Sequence, residues 1–360
     1  MTKRIGIMTG GGDAPGLNAV IRAVVLVAAE QYGWKVIGIR EGFDGLLARL
    51  PTLDLTVERV HDLLDRGGTI LGAANRGSPF LRPVEKPDGT TQYVDVSHEA
   101  LDIIAELGLD GLIVAGGDGT MAIAHRLTLM GAPIVGVPKT IDNDLGETDV
   151  TFGFDTAITT ATEALEKLRT TAESHHRVMV LEVMGRDAGW IGLVSGIAGG
   201  ADAILIPEIP FDIQIVANKI AALRASGRHY SLVVVSEGAA PVDGSQQYYI
   251  QGDTKDQSKL GGIGHVVGNA ISSLIDAEVR VTVLGHVQRG GQPTPRDRYL
   301  ATAFGTEAVH LVKEGLWGRM VAYRNDQVTH VPMAEAIKMK FVDPAGEMVK
   351  IARDLGIVFG

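Results

Sequence analysis

The 360-residue chain has no cysteine. This excludes disulfides, thiolate nucleophiles and thiolate-held metals, and it fits a reducing compartment, read here as the cytoplasm. No uncharged apolar run reaches the roughly 18 residues a membrane-spanning helix needs. Lys3 and Arg4 precede apolar residues, but Gly10-Gly11-Gly12-Asp13 interrupts them before a leader's apolar core can form. A soluble protein with no membrane partner is expected. A basic excess is also missing: 33 Lys+Arg against 43 Asp+Glu leave a formal charge of -10. That argues against nucleic acid as a partner, so an anionic substrate has to be caught by local arginines and backbone N–H groups. Glycine, by contrast, is plentiful at 46 residues, which implies many tight loops. The length suggests about two domains.

Apolar spacing predicts a strand over 4–8, a glycine loop, then a helix over 17–32 with positions 17, 20, 21, 24 and 28 on one face. The pattern returns as a strand over 111–115, a second glycine loop and a helix that starts near Met121 and stops before Gly131. Further strands are expected over 133–138, 177–184, 203–206, 231–236 and 279–284. Helices are expected over 155–174 with Asp155 as N-cap, over 213–225 and over 298–313. This alternation specifies a mostly parallel α/β architecture with right-handed crossovers. Residues 239–262 are polar and aperiodic, the pattern of an extended surface insertion.

Glycine clusters that follow strands present backbone N–H groups at a helix N-terminus, where the helix dipole favours anions. Gly10-Gly11-Gly12-Asp13-Ala14-Pro15-Gly16 is one such cluster, and taken alone it reads equally as an ordinary turn. Gly116-Gly117-Asp118-Gly119-Thr120 adds a carboxylate to a phosphate cradle, the hard oxygen ligand that Mg2+ selects. Asp118 is the metal candidate; the bland alternative is a helix cap. In Pro138-Lys139-Thr140-Ile141-Asp142-Asn143-Asp144, a period of two places Thr140, Asp142 and Asp144 on one face at a strand's end. A hydroxyl attacking phosphorus needs a carboxylate to take its proton, and Asp142 or Asp144 can serve.

With these segments in view, the chain resembles the phosphofructokinase family over essentially its whole length. GGDAPG, GGDG, PxTIDND, VMGR, EG and LGHxQRGG occur in that family's order. The resemblance implies two similar Rossmann-like three-layer domains with mostly parallel sheets and the active site in the cleft between them. Residues 1–152 with about 289–340 would bind nucleotide, and 153–288 with about 341–360 the sugar phosphate. It implies transfer of the γ-phosphate of ATP to the 1-hydroxyl of fructose 6-phosphate, in glycolysis. Gly12, Gly117, Asp118, Gly119 and Thr120 would hold ATP, with Asp118 on Mg2+. Asp142 would be the base, Thr140 would bond the transferring group, Asp144 would order base and substrate, and Arg186 would stabilise the phosphoryl charge. The sugar phosphate would be held by Ile141, Met184, Gly185, Glu237, His286, Val287, Gln288 and Arg289, with His286 and Arg289 on its 6-phosphate. Arg177 and Arg280 would reach in from a neighbouring subunit of a homo-oligomer, a tetramer or dimer.

The donor signature is mixed. Gly119 is typical of the family's ATP users, because an Asp there would repel the α-phosphate, whereas Lys139 is commoner in its pyrophosphate users. ATP is the reading preferred, with pyrophosphate the alternative and a silent nucleotide-sensing subunit a distant third. Asn75 or Arg76 would take the place of an arginine that touches the donor phosphates. A kinase acting on NAD or a lipid headgroup would share the Gly116-Gly117-Asp118-Gly119-Thr120 loop, but would have no use for Glu237, His286 and Arg289.

Overall fold

The computed structural model describes residues 2–74, 77–250 and 259–360. It contains two compact units, each assembled from segments distant in sequence: Met1–Ile141, Leu145–Asp155 and Arg289–Met339 in the first, and Asp142–Asp144, Thr156–Gln288 and Lys340–Gly360 in the second. Among the described residues, no helix is long and apolar enough to cross a membrane.

The first unit is built on a seven-stranded sheet. In spatial order its strands are Gln327–Pro332, Arg319–Arg324, Ile134–Pro138, Gly111–Gly116, Arg4–Thr9, Lys35–Ile39 and Leu53–Leu55. The five inner strands pair in parallel and only the two edge pairings are antiparallel. Gly111–Gly116 and Ile134–Pro138 are buried at every residue, as expected of parallel strands covered on both faces. Ile5, Ile7, Leu112, Ile113 and Val135 are fully buried, each contributing about 1.5–3 kcal/mol relative to exposure. On one side of this sheet, Met121, Ala124 and Leu127 of the helix Asp118–Leu129 join a core with Met8, Leu112, Val114 and Ile134. Chain order reverses between Arg4–Thr9 and Gly111–Gly116: the chain continues from one toward Lys35–Ile39 and from the other toward Ile134–Pro138. Ligands of doubly wound proteins bind at such a reversal, outside the strands' carboxyl ends.

The second unit has a four-stranded, fully parallel sheet in the order Val279–Val283, Val178–Val183, Ser231–Ser236, Ala203–Leu205. Val178, Val180, Val233 and Val235 form its core with Val216 and Ile220 of the helix Ile213–Ala225 and Val267 and Ile271 of the helix Ile263–Leu274.

Four local expectations change. The helix predicted over 17–32 is α-helical only over Leu17–Leu26 and widens into a π-turn over Val27–Gln31; helical periodicity alone does not report that extra residue. The helix predicted from Asp155 spans Phe154–His175, so Asp155 lies inside its first turn, where it accepts a hydrogen bond from the Thr294 hydroxyl at 2.6 Å. The second loop's helix starts at Asp118, because Gly117 in extended geometry supplies the N-cap. Residues 239–262 are not aperiodic throughout, since Tyr248–Ile250 pairs antiparallel with Lys259–Leu260.

Candidate active site

In the first unit, three loops leave three neighbouring parallel strands at their carboxyl ends. The Gly10 N–H donates to the Ala115 carbonyl at 2.9 Å and the Lys139 N–H to the Gly116 carbonyl at 2.9 Å, which laces the loops together. Thr120, nearly buried, fills the space left by two glycines: a Cβ on Gly10 would lie 2.7 Å from its Cγ2, and one on Gly116 2.3 Å from its Cβ. Such approaches are forbidden to any side chain, so the two glycines are steric requirements. A Cβ on Gly119 would meet nothing within 4 Å. Beside that open space stands Asp118, exposed in the first helical turn, where backbone N–H groups have no intrahelical partner.

Lys139 is 3% exposed, and its ammonium donates to the Gly12 carbonyl at 2.5 Å. The Arg289 guanidinium donates to the Asp13 carbonyl at 3.3 Å and covers Gly12, where a Cβ would come within 2.8 Å of Nη1. One lysine and one arginine thus hold the first glycine loop from two directions. Asn75 and Arg76 lie outside the described residues.

The strand before Asp142 ends at Pro138, and Asn143 has φ 52, in the left-handed region. A period of two holds only along extended backbone, so the single shared face expected for Thr140, Asp142 and Asp144 does not follow from alternation. The bend is fixed in other ways. The Thr140 carbonyl accepts from the Thr151 hydroxyl at 2.7 Å, the Asp144 carbonyl accepts from the Lys340 N–H at 2.7 Å, and Ile141 is fully buried. Thr140, Asn143 and Asp144 are buried, while Asp142 is half-buried. Asp142 and Asp144 belong to the second unit, Thr140 and Ile141 to the first.

In the second unit the arrangement repeats. Loops after Val178–Val183, Ser231–Ser236 and Val279–Val283 carry Met184, Glu237 and His286, and these line a cavity of about 240 Å³ together with Glu182 and Leu260. Gly185 has φ 138, and a Cβ on Gly238 would lie 2.0 Å from the Arg186 carbonyl oxygen. The Arg186 loop is therefore held against glycine backbone, and Gln246 donates to the Arg186 carbonyl at 3.2 Å. Gln288 is fully buried and its Oε1 accepts the Met184 N–H at 2.7 Å, whereas Val287 is 66% exposed. His286 is exposed and falls in the second unit; Arg289, three residues on, belongs to the first.

Arg177 and Arg280 share one carboxylate that sequence reasoning missed. Arg177 Nε donates to Glu278 at 2.6 Å, and the Arg280 guanidinium pairs with the other Glu278 oxygen. The Arg177 hydrogen bond holds the Glu278 carboxyl below the usual carboxylate range. A second missed group is Glu182, 2% exposed next to the end of the strand Val178–Val183, whose two oxygens accept the Gly262 and Gly264 N–H groups at 3.1 and 2.8 Å. A lone Glu in an apolar strand gives no sign of that use. The third is Glu208, which accepts the N–H groups of Gly189 and Val342.

A reversal of chain order with glycine loops at its carboxyl edge puts the molecule in the doubly wound α/β class, whose ligands sit at those loops. Within that class the chain belongs to the phosphofructokinase family, whose sequence model, described as Phosphofructokinase, matches residues 4–312. It is 53% identical over 359 residues to the ATP-dependent 6-phosphofructokinase of Chloroflexus aggregans, covering 99% of this chain and 98% of that protein. The Streptomyces coelicolor protein named pyrophosphate–fructose 6-phosphate 1-phosphotransferase is 46% identical over 360 residues, covering 99% of this chain and 100% of that protein. The T-state crystal structure of Pichia pastoris phosphofructokinase matches with a TM-score of 0.78 at 31% identity; the match covers 99% of this chain but 36% of that one.

Proposed function

We propose that the chain transfers the γ-phosphoryl group of ATP to the 1-hydroxyl of fructose 6-phosphate, giving ADP and fructose 1,6-bisphosphate. The observation that carries this is the 53% identity, along 99% of the chain, to a protein named for ATP-dependent 6-phosphofructokinase activity. The geometry of the donor loop supports it. Open space at Gly119 leaves room for an α-phosphate, and the Lys139 ammonium donates to the Gly12 carbonyl beside it.

The first unit binds the donor. Phosphates lie along the backbone of Gly12 and residues 117–120, where the N-terminus of the helix Asp118–Leu129 favours negative charge. Among the described residues no group of three or more His, Asp or Glu could cage a metal. Mg2+ is characteristically held by one or two carboxylates with phosphates and water, and the exposed Asp118 carboxylate would be the protein's share. When bound, Mg2+ neutralises charge along the phosphates.

The second unit binds the acceptor. Glu237 accepts from sugar hydroxyls, and His286 and Arg289 are the residues that bind the 6-phosphate. Asp142 takes the proton of the attacking 1-hydroxyl, and Arg186 stabilises charge on the transferred group, for which a guanidinium fork is suited. Thr140 bonds that group and Asp144 orders the base. Arg177 and Arg280, paired on Glu278, serve a neighbouring subunit's site in a homo-oligomer, a dimer or tetramer, working in the cytoplasm. An assay coupling fructose 1,6-bisphosphate formation to NADH oxidation tests the donor directly: turnover is expected with Mg-ATP and not with pyrophosphate, and the reverse preference would overturn the ATP assignment. Asp142→Ser is expected to lower kcat by about 10²–10⁴, as loss of a general base does, while fructose 6-phosphate still binds.

A further inference from the structure

Within the second unit, the segment that carries Asp142 and the loop that carries Arg186 are tied to one short strap, residues 340–342. The Lys340 N–H donates to the Asp144 carbonyl at 2.7 Å. Trp190 Nε1–H donates to the Lys340 carbonyl at 2.9 Å, and the Lys340 ammonium stands 5.5 Å over the Trp190 ring. Two residues on, the Val342 N–H donates to Glu208 Oε1 at 2.9 Å. Glu208 also receives the Gly189 N–H, at 3.0 Å on Oε1 and 3.1 Å on Oε2. Gly189 lies three residues beyond Arg186 and is the N-cap of the helix Trp190–Ala198.

We propose that Glu208 is a positioning residue which, through the strap and Trp190, fixes the spacing between the Asp142 segment and the Arg186 loop. The inference rests on the roles proposed above for those two residues. Three features support it. The side chain at position 208 joins two segments about 150 residues apart in the chain, and both joints are to backbone N–H groups, which cannot drift with a rotamer. Gly189 has no room for a side chain, since a Cβ would lie 2.4 Å from Ile206 Cβ and 2.8 Å from Glu208 Oε2. Burial pushes the Glu208 carboxyl above the usual carboxylate range, so the fold accepts a desolvation cost at this position to keep an acceptor there.

The geometry makes a specific claim about the amide. Oε1 alone already accepts from both Gly189 and Val342, so Glu208→Gln keeps the joint and Glu208→Ala removes it. Glu208→Ala is expected to lower kcat by about 10- to 100-fold, the scale of a sub-ångström to ångström misplacement of reacting groups, with KM for fructose 6-phosphate and ATP within about twofold of wild type. Glu208→Gln should retain kcat within about threefold. Trp190→Phe, which keeps the ring but loses the N–H, should lower kcat by a smaller factor in the same pattern. Amide hydrogen exchange provides a readout independent of activity: in Glu208→Ala, peptides covering 142–145 and 186–190 should exchange faster, while the strand Val279–Val283 stays as in wild type. Unchanged kcat and exchange in Glu208→Ala, equal damage from Ala and Gln, or a kcat loss that tracks a rise in both KM values and a fall in melting temperature would each overturn the proposal. A wild type without phosphofructokinase turnover would sink the functional reading instead, and the exchange comparison would still decide whether Glu208 couples the two segments.

Discussion

Glu278 shows how one side chain can set the posture of two others. Arg177 immediately precedes the strand Val178–Val183, which pairs in parallel with Val279–Val283 so that Arg280 lies opposite Met179, and Glu278 draws both guanidinium groups onto one carboxylate. Glu278→Ala removes the brace and leaves two like charges side by side. KM for fructose 6-phosphate is expected to rise about three- to tenfold with kcat nearly unchanged, since an anchor far from the reacting atoms binds ground and transition states alike. Steady-state kinetics at varied sugar phosphate checks this. Arg289→Ala should likewise act mainly on KM for the sugar phosphate; if the 6-phosphate assignment is wrong, that KM will not move. The candidate site was legible where a motif carries a backbone requirement. Gly10 and Gly116 announce a tight strand-to-helix loop because a Cβ at either would collide with Thr120. Glu182, Glu208 and Glu278 were not legible, since each acts on backbone or on a side chain made its neighbour only by the parallel register, and an isolated glutamate carries no such information.

At the level of the element, helix termini are set by single residues. The helix Pro295–Glu314 starts on Thr294, whose hydroxyl accepts the Asp297 N–H at 3.2 Å, and stops at Gly315, φ 69. Gly315→Ala forces an L side chain into the left-handed region and is expected to lower the unfolding free energy by about 1 kcal/mol with little change in activity, measurable as a lower denaturant midpoint at constant slope. Strand and helix types were readable from periodicity because buried parallel strands are short apolar runs between glycine loops. Boundaries were less so. Asp155 has the chemistry of a cap, yet the Thr294 hydroxyl engages it inside the helix, and the widened turn over Val27–Gln31 has no signature in spacing. The left-handed Asn143 defeated the strand alternation for the same reason: one dihedral angle resets the direction of every side chain after it.

For the molecule as a whole, stability should carry the mark of Glu208. With its carboxyl raised by burial, the folded state binds that proton more tightly than the unfolded chain. The group's contribution is therefore fully present below the ordinary carboxylate value and is lost as pH rises through the raised one. Glu208→Gln has no such dependence, so its melting temperature should gain on wild type as pH increases from about 4 to 7; a constant difference would refute the linkage. Subunit sharing has its own test. If Arg177 and Arg280 serve a neighbour's site, mixing Asp142→Ser and Arg280→Ala proteins after dissociation and reassembly should raise turnover at low fructose 6-phosphate above that of either variant alone, because hybrids contain some sites with both residues intact.

The seven-stranded sheet cannot be completed early in synthesis. Its strand Ile134–Pro138 is flanked on one side by Arg319–Arg324, which leaves the ribosome some 180 residues later. A nascent chain therefore holds an apolar, hydrogen-bonding edge exposed while most of the second unit is still being translated, a surface on which growing chains can pair with each other. Slowing initiation or supplying a holdase chaperone is therefore expected to improve recovery of active protein at high expression levels without any change in sequence.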